Sequence, residues 1–173
     1  MTWGGTMGLS RLIASAALGV AAVATVHAAS AQGLVTTHRV SSALANEAVG
    51  TAVASCAAKG YAVSAVFVDW DGVRIAMLRG DRAGIHTVTA AQDKAYTAVS
   101  LKSDTSAVEA RFKTAPAPSV LVKTPHLVLS AGGIVLKIGE EVIGGIGVSG
   151  APGGEKDEAC ARAGFDAIKD RLK

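Results

Sequence analysis

Val142-Ile143-Gly144-Gly145-Ile146-Gly147-Val148-Ser149-Gly150 joins an apolar, strand-like run to a Gly- and Pro-rich turn, and a charged segment follows it. Four of these nine residues are glycine. Glycine weakens a strand interior and usually marks a bulge, a bend or the close approach of another group. Some other group is therefore expected to come close to this backbone, and the stretch alone does not name it.

On the C-terminal side the pattern predicts a helix over about Glu155 to Leu172. Glu155, Asp157 and Glu158 lie in its first turn and Lys169, Arg171 and Lys173 in its last, a polarity that complements the helix dipole. Its inward stripe is Cys160, Ala163, Ala167, Ile168 and Leu172. On the N-terminal side, Ile134 to Lys137 reads as a strand that reaches Val142–Val148 through a turn at Gly139 and Glu140, and Leu127 to Leu129 as a further strand. Lys113 to Pro118 is a connector, and Ser119 to Lys123 receives no assignment.

Earlier in the chain, Val40, Leu44, Ala48, Ala52 and Cys56 recur at helical spacing, with Thr37 available as a cap and Gly60 as a stop. Val63 to Asp69 is too continuously apolar for a half-exposed strand. Asp71-Gly72 then turns it into Val73 to Leu78. After the charged loop Arg79–Gly84, Thr89-Ala90-Ala91-Gln92 has the form of a capping box opening a helix to about Ser100, and a short helix is expected over Thr105–Phe112. The expected fold is α/β of the α+β type: a three-layer α-β-α sandwich around a largely antiparallel five-stranded sheet.

The chain has 173 residues, enough for one domain. Residues 1–31 carry a single charged residue, Arg11, then the apolar run Leu12–Val26, then small residues ending in Ala29-Ser30-Ala31. This is the layout of a cleaved secretory signal peptide, with the cut between Ala31 and Gln32, and its apolar run is too short for a membrane-spanning helix. The mature domain is then 32–173, periplasmic or secreted, with no stable membrane anchor. With Arg11 gone, 16 of the 17 basic residues face 14 acidic ones, leaving +2. Scattered charge and few aromatics give nucleic-acid binding no support.

Cys56 and Cys160 both belong to the mature chain, and an oxidising destination favours a disulfide between them over two buried free thiols. Gly145–Gly150 is literally G-x-G-x-x-G, but only 23 residues follow Gly150, so the second strand of a dinucleotide-binding unit cannot form. His38, His86 and His126 are too dispersed for a zinc site. His126, beside Gly132 and Gly133, is the best-placed candidate iron ligand, and the lack of C-x-x-C-H excludes a covalent c-type haem. Lys94 and Tyr96 could contribute an ammonium and a phenol. Asp69, Asp71 and Asp81 form no catalytic pair by spacing, and Ser149 is in no nucleophile elbow.

The motifs D-W-D-G (69–72), R-G-D-R-A-G (79–84), D-K-A-Y-T-A (93–98), A-G-G-I (131–134), G-E-E-V-I-G-G-I-G-V-S-G (139–150) and K-D-E-A-C-A-R-A-G (156–164) together resemble the GlcG/HbpS-like family of haem-binding proteins. The resemblance implies a profilin-like sandwich, homo-oligomers, and non-covalent binding of haem or a related tetrapyrrole for sensing, scavenging or storage. The resemblance maps an iron-contacting hydroxyl near Thr124; taken with the residue reading above, the expected cofactor neighbourhood is Thr124, His126, Lys94, Tyr96, Gly132, Gly133, Gly145 and Gly147, with His126 as the metal ligand. Thr89 and Gln92 stand where exported relatives carry an iron-binding acidic pair, a departure from that pattern. Two other readings stay open: a small enzyme acting on haem or an organic acid, with Lys94 and Asp93 in acid/base roles, and a cofactor-free oligomerising interaction module.

Overall fold

A computed structural model describes residues 1, 33–116 and 118–172; the expected leader therefore lies, apart from Met1, outside the described residues. The chain divides into Met1–Val35 and Thr36–Lys173, and all described helices and strands belong to the second unit. Their order is α1 (Ser42–Ala57), β1 (Ser64–Val68), β2 (Arg74–Arg79), α2 (His86–Ser100), α3 (Thr105–Thr114), α4 (Ser119–Lys123), β3 (Gly133–Ile138), β4 (Glu141–Ser149) and α5 (Gly154–Asp166), with a 3-10 turn at Lys169–Arg171. No helix among the described residues is long and apolar enough to cross a membrane.

The sheet runs β2-β1-β4-β3 and every pairing is antiparallel. β1 is wholly buried because both of its faces are covered. Ala65 and Phe67 join the larger core with residues of α1 and α5, including Val49 and Cys160. Val66 and Val68 pack instead with Ala91, Ala95 and Val99 of α2. The continuous apolar run thus reports a middle layer, as expected.

Small residues let α1 and α5 cross closely. Ala45, Ala48 and Ala52 are fully buried on α1, and a Cβ at Gly164 would stand 2.4 Å from the Ala48 carbonyl oxygen. Cys56 and Cys160 are bridged across this crossing, with Cα atoms 5.6 Å apart. The bridge closes a separation of 104 residues, for which restriction of the unfolded chain corresponds to about 4–5 kcal/mol as an upper figure.

The fifth strand is a correction: four strands are present among the described residues, and Leu127–Leu129 lies outside the sheet. Its backbone is satisfied elsewhere, since Val128 N–H donates to Thr97 Oγ1 and Leu127 N–H to the Thr124 carbonyl. The outer edge of β3 is held instead by the start of α3. Gly133 N–H donates to Thr105 Oγ1 and Val135 N–H to Asp104 Oδ1.

Several boundaries also moved. Ser41, not Thr37, caps α1 by accepting from Leu44 N–H. α2 starts at His86, so Thr89 and Gln92 lie inside it and form no capping box. Thr87 fixes that earlier start, donating its hydroxyl to the Gly84 carbonyl and sharing a 2.7 Å bond with Ser64. Ser119–Lys123 forms the short α4, and α5 ends at Asp166.

Candidate functional site

The group that approaches the glycine-rich strand is α2. A Cβ on Gly147 would lie 1.9 Å from the Ala91 carbonyl oxygen and 2.6 Å from Ala95 N, and one on Gly145 would lie 2.8 Å from Val99 Cγ2. On the neighbouring strand, a Cβ on Gly133 would meet the Lys94 carbonyl oxygen at 2.3 Å. These three glycines, expected in a cofactor neighbourhood, are covered by a helix. Gly132 has φ +125°, and a Cβ there would crowd Lys94 Nζ at 2.7 Å.

With its backbone pressed on the sheet, α2 spends each residue of K-A-Y-T-A differently. Lys94 Nζ donates to Asp157 Oδ2 at 2.8 Å in a buried ion pair that ties α2 to α5. Asp157 Oδ1 also accepts from Ala151 N–H. Burial raises the Asp157 pKa above its ordinary 3.8, against the pull of the Lys94 ammonium and the Ala151 and Gly150 amides. Tyr96 sets its ring edge-on to His126 at 5.9 Å between centroids, and also against the hairpin turn, where a Cβ on Gly72 would fall 2.6 Å from the ring.

Asp93 and Thr97, four residues apart and so on one helix face, grip the loop that carries His126. Asp93 Oδ1 holds His126 Nδ1 at 3.0 Å, while Thr97 Oγ1 accepts from Val128 N–H and donates to the Asp93 carbonyl. His126 itself has φ +66°. It is the third residue of the turn Thr124-Pro125-His126-Leu127, closed by Leu127 N–H on the Thr124 carbonyl, where a positive φ ordinarily calls for glycine or asparagine. A bulky residue held in that conformation marks stored strain, which concentrates at functional positions.

His126 is 61% exposed in its side chain, and the carboxylate on Nδ1 fixes which edge of the ring is presented outward. The same segment exposes Val120 and Val122, at 66% and 64%. Thr124 donates its hydroxyl to the Val120 carbonyl at 2.6 Å, closing α4. Of the residues expected at a site, the structure therefore brings His126 and Tyr96 together and sets Thr124 at the start of the His126 turn, with its hydroxyl committed to the Val120 carbonyl. Lys94 is committed to Asp157, which gives an acid/base role for it no geometric support. His38 pairs with Glu141 and His86 lies exposed at the start of α2. Thr97, Asp157 and the role of Asp93 as a histidine partner are additions: helical spacing from Asp93 to Thr97 could have suggested the first and the last, whereas nothing in the sequence pointed to Asp157, whose partner Lys94 lies 63 residues away.

Farther along, Glu109 of α3 accepts from Ala131 N–H at 2.7 Å. That bond, then Lys113, holds its carboxyl below the ordinary 4.5. A depressed carboxylate stabilises the fold fully above its unfolded value and loses that contribution as pH falls through the lower folded value. The Ala131 amide resonance is expected to titrate with a midpoint below 4.5, and to lose that transition in Glu109→Gln. A midpoint at or above 4.5 would show that this bond does not favour the ionised form.

Comparison with known proteins places this geometry among relatives. A family model described as "Haem degrading protein HbpS-like" matches residues 40–166. The crystal structure of HbpS is 35% identical with a TM-score of 0.74, over 82% of this chain and 99% of that one. A double mutant of Streptomyces reticuli HbpS gives the same identity and score, over 82% and 95%. A PduOC:heme complex is 25% identical with a TM-score of 0.69, covering 76% of this chain and 96% of that one. No curated protein sequence matches.

Proposed function

Because the chain belongs to the HbpS-like family, we propose that it is an exported, self-associating protein that binds haem non-covalently at the surface around His126, for sensing, scavenging or storage. One observation carries the placement: His126 is exposed, strained and oriented by Asp93. A carboxylate on one ring nitrogen is the usual partner of a metal-ligating imidazole, since it fixes the tautomer and raises the basicity of the other nitrogen.

The neighbouring residues fit an iron tetrapyrrole. His126 would offer a nitrogen to the iron, and Val120 and Val122 would offer apolar surface to the macrocycle. Lys123, on the same segment, would offer a cation to a propionate. Haem held there would supply an iron centre whose potential and ligand access depend on that surface. Asp93 would keep the imidazole oriented, Thr97 would hold the loop backbone, and Tyr96 would limit rotation of the ring. Lys94 and the glycines under α2 would act only by supporting α2.

Titration of the purified chain with hemin is expected to give a saturable Soret shift. His126→Ala should abolish the shift, and Asp93→Asn should weaken affinity by about tenfold or more, as partners of a metal-ligating histidine commonly do. A wild-type chain without saturable binding would overturn the reading in favour of a cofactor-free module. Binding indifferent to His126→Ala would overturn the placement. Light scattering on the same samples reads the self-association, and a monomeric mass would remove that part of the proposal.

A further inference from the structure

The R-G-D-R-A-G loop takes no part in the His126 surface, and it walls a cavity of its own. That cavity, about 570 Å³, lies between the C-terminal half of α1 and the end of β2. Its volume falls in the range of about 300–1,000 Å³ typical of small-molecule sites. Val53, Ala57, Val63 and Leu78 give it an apolar lining, while Arg79, Asp81 and Arg82 supply the charges. Leu78 is 43% exposed, although it is a large apolar side chain.

The loop is built rather than loose. Gly80 N–H donates to the Val63 carbonyl, Ala83 N–H closes a turn on the Gly80 carbonyl, and Arg79 Nε donates to the Ala83 carbonyl at 2.8 Å. Arg82 occupies the third position of that turn with φ +63°, where glycine would be free of strain. Among the described residues no carboxylate pairs with its guanidinium. Arg82, without a carboxylate partner among the described residues, is therefore held in an unfavourable backbone conformation on the wall of a cavity that is apolar on one side and charged on the other.

We infer that this cavity binds an amphipathic monoanion, an aliphatic or aryl carboxylate whose apolar body lies along Val53, Ala57 and Leu78 and whose head group meets Arg82. The charge balance sets the valence: two arginines against Asp81 leave one net positive charge for the head group. Arg79 is already engaged with a backbone carbonyl, so Arg82 is the group free to form a charge-assisted, two-point bond with a carboxylate.

Calorimetric titration of the full chain with octanoate, alongside thermal melting, tests the assignment. The wild type should bind saturably at one site per chain. Arg82→Gly should raise the melting temperature, because the strain is relieved, and yet weaken octanoate by about tenfold or more. Leu78→Asp should weaken it without the stability gain, and His126→Ala should leave it unchanged, separating this cavity from the proposed haem surface. Absence of saturable binding, affinity unaltered in Arg82→Gly, or loss of binding in His126→Ala would each overturn the inference.

Discussion

Valine in place of Gly147 is expected to destabilise the fold by about 3 kcal/mol or more, at or beyond the upper end of ordinary overpacking. Even the first added carbon would sit 1.9 Å from the Ala91 carbonyl oxygen. The obstacle is helix backbone rather than the end of a flexible side chain, so relief requires α2 to move away from the sheet. That movement would also strip cover from Val66 and Val68 and shift Asp93, Tyr96 and Thr97 together. Chemical denaturation of Gly147→Ala and Gly147→Val measures the loss. If the valine variant melted like the wild type, the helix would not be packed as described. Gly50, where nothing lies within 4 Å of an added Cβ, provides the control: alanine there should be tolerated.

Lys94→Met is the second large effect, about 3–5 kcal/mol, because it leaves the buried Asp157 carboxylate without its cation. The double variant Lys94→Met with Asp157→Leu should recover much of that loss, since no charge then remains to be desolvated. The pH dependence has a definite sign. A carboxyl whose folded pKa is raised binds its proton more tightly folded than unfolded, so stability rises as pH falls through the folded value toward the unfolded one. Because the Lys94 ammonium pulls the Asp157 pKa down, its removal raises that pKa further than in the wild type, so the variant gains more on acidification and the deficit of Lys94→Met should shrink before general acid unfolding begins. A deficit independent of pH, or no deficit, would show that the pair is not the clamp between α2 and α5.

The layers of the fold were readable in the sequence because burial on two faces leaves a periodicity. Val63–Asp69 has no polar alternation, and it became the central strand β1 with helices above and below. The turns at Asp71-Gly72 and Gly139-Glu140 were readable through their residues. Leu127–Leu129 misled because three apolar residues carry no period, and side chains on other elements, Thr97 above all, took up the backbone groups a strand would have used. The capping-box pattern at Thr89 lost to a hydroxyl network two residues earlier, centred on Thr87, that depends on a distant strand.

At the candidate site His126 was visible as an isolated imidazole near glycines, but its partner was not. Asp93 lies 33 residues away, and only the return of the loop along α2 brings the two together. The glycines of β4 announced a close approach without naming the approaching group. The strain at Arg82 and His126 was invisible in composition, since only the folded turn shows that each holds a position suited to glycine.

The occupied margin of β3 limits how the protein can aggregate. A sheet that ends in free amides invites another chain to continue its ladder, which is how fibrils and swapped strands begin. Here the side chains of Asp104 and Thr105 already hold the amides of Val135 and Gly133. At the opposite margin, β2 is interrupted by an irregularity in its register with β1 and carries Arg74 and Arg79. To neighbouring copies, this sheet presents one stoppered border and one bent, positively charged border.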